Sequence, residues 1–149
     1  DEPLFLCARR DMPGVPDSDT TRLEAIAHLP LVLPSGRHGL RALVNNAFQQ
    51  LGQTPRVVAE VDGLSLLMDV VQLGNAATIQ PSSATARIAP GQLHMARIED
   101  THLFRSNLLA SLSDDELSPA ALAARLVLAD VSRTLARDGK WAVVALHDS

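Results

Sequence analysis

Short, continuous apolar runs alternate along this chain with longer segments whose apolar residues recur every three or four positions. Leu4 to Ala8 is the first such run, and charge and Met12-Pro13-Gly14-Val15-Pro16 follow it, so it reads as a strand that leaves its sheet for an irregular connection. Thr21 and Glu24 stand at capping-box spacing and predict a brief helix that ends near His28, before Pro30. Leu31 to Leu33 is a second strand. A tight turn of Ser35, Gly36, Arg37, His38 and Gly39 then opens a helix in which Leu40, Leu43, Val44, Ala47, Phe48 and Leu51 form one apolar stripe, stopped by Gly52. Arg56 to Val61 is a strand ending at Asp62-Gly63, either of which is placed to cap the next helix. That helix, Leu64 to Leu73, is apolar nearly all round, with only Ser65, Asp69 and Gln72 for water, so burial on two sides is expected. Ala76 to Ile79 is a further strand, cut by Pro81, and Ser82 to Arg87 a single helical turn.

Strand, helix, strand, helix, strand, helix, strand is the order of a parallel sheet with right-handed crossovers and helices on both faces. Beyond Pro90-Gly91, Leu93 to Ile98 and Leu103 to Leu112 read as edge strands or a crossing to a neighbouring sheet. Ser118-Pro119 opens a long helix that ends near Asp138-Gly139, its buried side marked by Leu128, Val131 and Leu135, and Trp141 to Leu146 is a short apolar tail.

Composition narrows the partners. The 149 residues suffice for one domain or part of a larger one, and with 46% hydrophobic but 3% aromatic residues the core must be aliphatic. A formal charge of −4 and the lone Lys140 argue against direct nucleic-acid binding, which needs clustered cations. The single Cys7 makes no internal disulfide, which points to a reducing, cytoplasmic home. No apolar run approaches the ~20 residues that span a bilayer, the first residues do not read as a signal peptide, and the missing initiator Met suggests a processed or excerpted chain.

Candidate chemistry is sparse. Cys7 has no neighbouring base and reads as a buried structural residue. His28, His94, His102 and His147 lack metal-ligand spacing, so no metal site is assigned and no cofactor is expected. Asp114-Asp115-Glu116 precedes a helix N-terminus and reads as a solvated loop. Ser35 lies outside any G-x-S-x-G elbow, and both nucleotide-binding glycine motifs are absent. Catalysis is therefore not expected. What stands out is the turn Ser35 to Gly39, where Arg37 and His38 flank a helix N-terminus at the carboxyl end of a strand, beside Asp62-Gly63 and Gln80-Pro81. A small carboxylate or sulfonate suits that site electrostatically.

The blocks EPLFLCARRDMPG, LPLVLPSGRHGLRALVNNAF, VVAEVDGLSLLMDVVQLGNAATIQPSSA, GQLHMARIED with LFRSNLLAS, and LSPAALAARLVLADVSRTL together resemble the effector-binding domain of LysR-type transcriptional regulators, in particular the nitrogen-assimilation-control branch. The resemblance implies an α/β fold like that of type 2 periplasmic binding proteins, two hinged subdomains about a cleft for a small anionic co-inducer. It places residues 1–12 as a crossover strand, 13–100 as the second subdomain, and 101–149 as the return segment with a long C-terminal helix that returns to a first subdomain otherwise absent. Ser35, His38, Gly39 and Leu40 would line the cleft, with Arg37 at its edge and Phe104 and Arg105 contributing from the hinge. The sequence departs from the family pattern at Gly74-Asn75-Ala76-Ala77 and at Gln80. Dimer packing would use the helix 64–73, through Leu64, Leu67, Met68 and Val71, and DNA would be met only through an N-terminal domain outside this chain. Self-association and no membrane contact are expected. A transporter's solute-binding lobe is the alternative from another class, and a small hydrolase using Ser35 or Cys7 a third.

Overall fold

The structure is a computed structural model and describes residues 1–85, 88–89, 91–100 and 103–141. In chain order the elements are β1 Glu2–Ala8, β2 Thr20–Thr21, α1 Leu23–Ile26, β3 Leu31–Leu33, α2 Gly39–Gln50, β4 Val57–Glu60, α3 Leu64–Gln72, β5 Thr78–Pro81, a 3-10 turn Ser82–Thr85, β6 His94–Ile98, β7 Phe104–Arg105 and α4 Pro119–Arg137. They fall into two compact units, Pro3–Arg105 and Asp1–Glu2 with Ser106–Ser149.

The α/β class is as expected, and strands pair in both directions. Parallel pairing joins β3 to β4 and β2 to β6, and a parallel bridge sets Leu31 beside Ala77. β1 instead runs antiparallel to both β5 and β6, in a sheet of order β2-β6-β1-β5 with β7 also on β1. The segment Leu93 to Ile98 is thus no edge or crossing strand: β6 sits between β2 and β1. Of Leu103 to Leu112 only Phe104–Arg105 is strand. The run Ala76 to Ile79 shifts to Thr78–Pro81, because Pro81 ends the strand where it needs no N–H rather than cutting it short. Ala86, Arg87 and the tail 142–149 lie outside the described residues.

Alternation along β1 builds a core on each side. Leu4, Leu6 and Ala8 join Leu23 and Ile26 of α1, Leu31 and Leu33, and Leu40, Val44 and Phe48 of α2. Cys7, with Phe5 packed at the margin, faces Val32 and the α3 residues Leu67, Met68 and Val71. The period of two in the strands and of three to four in the helices thus put helices on both faces, as the sequence predicts.

Three local expectations are overturned. α1 has no capping box: Thr21 is in β2, Arg22 occupies the cap position without a side-chain bond, and the Leu23 N–H donates to Asp100 Oδ2 at 2.9 Å. A long-range carboxylate replaces the local one. α3 is buried on one side rather than two, since Leu67, Met68 and Val71 enter its own core while Leu64, Leu66 and Leu73 are exposed. Leu67, Met68 and Val71 are therefore core residues, and of the expected interface set only Leu64 reaches the surface. α4 begins at the predicted Ser118-Pro119, with Ser118 Oγ accepting from the Ala121 N–H at 3.2 Å, yet buries no residue: Leu128, Val131 and Leu135 are all exposed.

Candidate functional site

β3 and β4 run parallel with Leu33 paired to Glu60, so the loops leaving their carboxyl ends emerge side by side. The loop after β3 is the turn Ser35 to His38, closed by the His38 N–H on the Ser35 carbonyl at 3.0 Å. His38, not Ser35, caps α2: its Nδ1 accepts from the Leu40 N–H at 3.3 Å, which requires that nitrogen to be unprotonated and leaves Nε2 to carry the ring proton. Ser35 turns instead to the next loop, its N–H donating to Asp62 Oδ1 at 2.8 Å. Asp62 is thereby not a cap for α3, whose cap position belongs to Gly63 without a side-chain bond. The Ser35 N–H, then the Ser35 hydroxyl, hold the Asp62 carboxyl below the usual carboxylate range, with the positive charge of His38 and Arg37 helping at longer reach. Arg41 staples the first turn of α2 to the same end of the sheet, its Nη1 reaching Glu60 Oε1 at 2.7 Å and the Pro34 carbonyl at 3.0 Å.

These loops form one wall of a cavity of about 210 Å³. His38 and Leu40 come from the first loop and helix, Asp62 and Leu64 from the second, and Gln80 from the end of β5, with Arg105 of β7 completing the polar lining. Gln80 is buried. The cavity therefore pairs an anion, a cation, an amide and an imidazole over an aliphatic floor that includes Leu67. Such a mixture holds and orients a small polar molecule.

Of the residues singled out from sequence, His38, Leu40 and Arg105 meet at this cavity. Ser35 stands behind it as the anchor of Asp62. Arg37 and Gly39 belong to the same turn but do not line the cavity, and Phe104 borders a different groove with Arg22, Arg97 and Asp100. Asp62 and Gln80 were legible only as neighbours of the crevice: the rule that ligand sites lie beyond strand carboxyl ends put their loops there, but nothing local marked the Ser35–Asp62 bond.

Elsewhere the bland readings hold structurally. Cys7 is wholly buried, which pushes its thiol up to about 12, so it stays protonated and unreactive. His94 is buried with Nε2 at 3.1 Å from the Ser18 carbonyl. His102 and His147 lie outside the described residues. In the acidic run, Arg125 pairs with Asp114 at 2.6 Å and Ser113 holds Glu116. Among the described residues no group of three or more His, Cys, Asp or Glu gathers as a metal site, and no helix is long and apolar enough to cross a membrane.

The family described as LysR substrate binding domain matches residues 1–133. The nitrogen assimilation regulatory protein nac of Klebsiella aerogenes is 33% identical over 129 residues, covering 85% of this chain and 41% of that protein. Its Escherichia coli counterpart is 29% identical over 147 residues, covering 97% of this chain and 47% of the other. The chain thus spans less than half the length of these curated relatives. Among solved structures, the Synechocystis CcmR regulatory domain in complex with 2-PG superposes with a TM-score of 0.75 at 21% identity, covering 87% of this chain and 62% of that one. The effector binding domain of QuiR in complex with shikimate gives 0.74 at 20% identity, covering 89% and 62%.

Proposed function

This chain belongs to the family of LysR substrate-binding domains, and we propose that it serves as the sensing part of a transcriptional regulator, binding a small anionic effector in the cavity beyond the carboxyl ends of β3, β4 and β5. The observation that carries this reading is the convergence of His38, Leu40 and Arg105 with Asp62 and Gln80 on one cavity from four separate segments of chain. Its relatives are regulators rather than enzymes, and two proteins that share the fold hold small molecules, shikimate in one and 2-PG in the other.

The mechanism follows from a binding wall that is one half of a cleft. A ligand that touches His38 and Gln80 here, and groups of a facing wall elsewhere in the longer protein, favours the closed arrangement by its differential affinity for the two states. The regulator then meets its promoter through a DNA-binding part outside this chain, and the closed and open forms present that part differently. Oligomers form in this reading through exposed apolar surface, with Leu64, Leu66 and Leu73 of α3 and Leu128 and Val131 of α4 as the available side chains.

The reading is tested by titrating the 149-residue chain with shikimate and following amide chemical shifts. Shifts confined to Ser35, Leu40 and Gln80, with affinity reduced about fivefold or more in Arg105→Ala, are expected, since a charge-assisted hydrogen bond is lost. Shifts scattered over other surfaces, or none with any small acid, would overturn it.

A further inference from the structure

The turn after β3 is not an open seat for an anion, because the chain supplies an anion of its own. Ser35 gives its backbone N–H, at 2.8 Å, and its hydroxyl to the Asp62 carboxylate. The Leu40 N–H, at the start of α2, is spent on His38 Nδ1. Donors that an incoming carboxylate would use at a helix N-terminus are thus engaged within the protein, and a full negative charge borders the cavity. Like charges brought together there repel, and more strongly as a closing cleft excludes water.

The remaining polar lining has the opposite character. Arg105 brings the positive charge and Gln80 a buried amide, while His38, bound through Nδ1 as an acceptor, offers only its Nε2 proton. One end of the cavity therefore suits an acidic group and the other a hydrogen-bond donor. A volume near 210 Å³ holds about seven waters at ~30 Å³ each, which suits a small acid and excludes a nucleotide or a peptide.

Resting on the reading of this cavity as the effector wall, we propose that the effector is a small hydroxy or amino acid: its anionic group faces Arg105 and Gln80, and its hydroxyl or ammonium donates to the remaining lone pairs of Asp62. Asp62 is then the residue that sets specificity, rejecting plain acids of the same size by leaving its own carboxylate without a donor and close to theirs.

The test uses two matched pairs of probes on the 149-residue chain, shikimate against cyclohexene-1-carboxylate and L-serine against propionate, titrated by amide chemical shift. In each pair the donor-bearing acid should bind about fivefold or more tightly than its plain counterpart, the share of a charge-assisted hydrogen bond that partial exposure leaves. Asp62→Asn keeps an oxygen for the Ser35 N–H while removing the charge, so it should narrow each gap to about twofold or less and tighten the plain acids. Equal binding within the pairs, or an Asp62→Asn that weakens both members alike, overturns the donor assignment while the cavity reading stands. Gln80→Ala should weaken every probe. If it changes none, or if no probe binds, the cavity reading falls and the specificity role of Asp62 falls with it.

Discussion

α2 and α4 are written in the same local language and meet opposite fates. Both start at a residue that accepts a hydrogen bond from the first turn, His38 in one and Ser118 in the other, and both stop at a glycine with positive φ, Gly52 at +66° and Gly139 at +69°. Both carry apolar residues at steps of three and four. Yet α2 buries Leu40, Val44 and Phe48 against β1 and β3, while α4 leaves Leu126, Val127 and Leu128 more than half exposed. Caps and periodicity make a helix and choose which side is apolar, but whether that side is covered depends on the presence of an opposing surface.

The largest break in that comparison comes from truncating the two stripes. Phe48→Ala should cost about 3–5 kcal/mol in chemical denaturation, because a wholly buried ring leaves a cavity that its neighbours fill only in part. Leu128→Ala, at an exposed position, should stay within about 0.5 kcal/mol. A much larger loss for Leu128→Ala, growing with protein concentration, would mean that a second copy covers α4 in solution, and sedimentation of the same samples would show it. A smaller effect is expected from the caps. Ser118→Ala removes the acceptor for the Ala121 N–H and should cost about 1 kcal/mol of helix stability, read as lost helical ellipticity at α4 with the remainder of the fold intact.

The smallest effect is a pH dependence at Asp62. Its carboxyl is held below its ordinary 3.8 in the folded chain, so its contribution to stability is present above that unfolded-state value and disappears as pH falls through the lower folded one. Asp62→Asn should therefore melt slightly earlier than the parent at neutral pH, with the two curves converging in strongly acidic buffer. Parallel curves down to the acid limit would show that the Ser35–Asp62 bond does nothing for folding.

The corrected expectations share one cause. Thr21 and Glu24 have the spacing of a capping box, but Asp100, 77 residues from Leu23, takes the N–H that the box would have satisfied. Asp62 is placed to cap α3, but the parallel register of β3 and β4 brings Ser35 within 2.8 Å of it and claims the carboxylate. The apolar excess of α3 reads as two buried faces, but one face suffices for its core and the other stays in water. In each case a local signal was true as a propensity and lost to a partner far along the chain.

The sequence by itself determined where α2, α3 and α4 lie, which glycines end them, and which strand residues alternate between the two cores, because those properties depend on neighbours within four positions. It also put the turn Ser35 to Leu40 at the carboxyl end of a strand. Only the tertiary structure decided that β1 runs antiparallel to its neighbours, that α4 is left uncovered, and that Asp62 fills the donors of the turn. Those outcomes rest on strand register and on contacts between residues 27 or more positions apart, and hydrogen bonds at that separation leave no periodicity to read in advance.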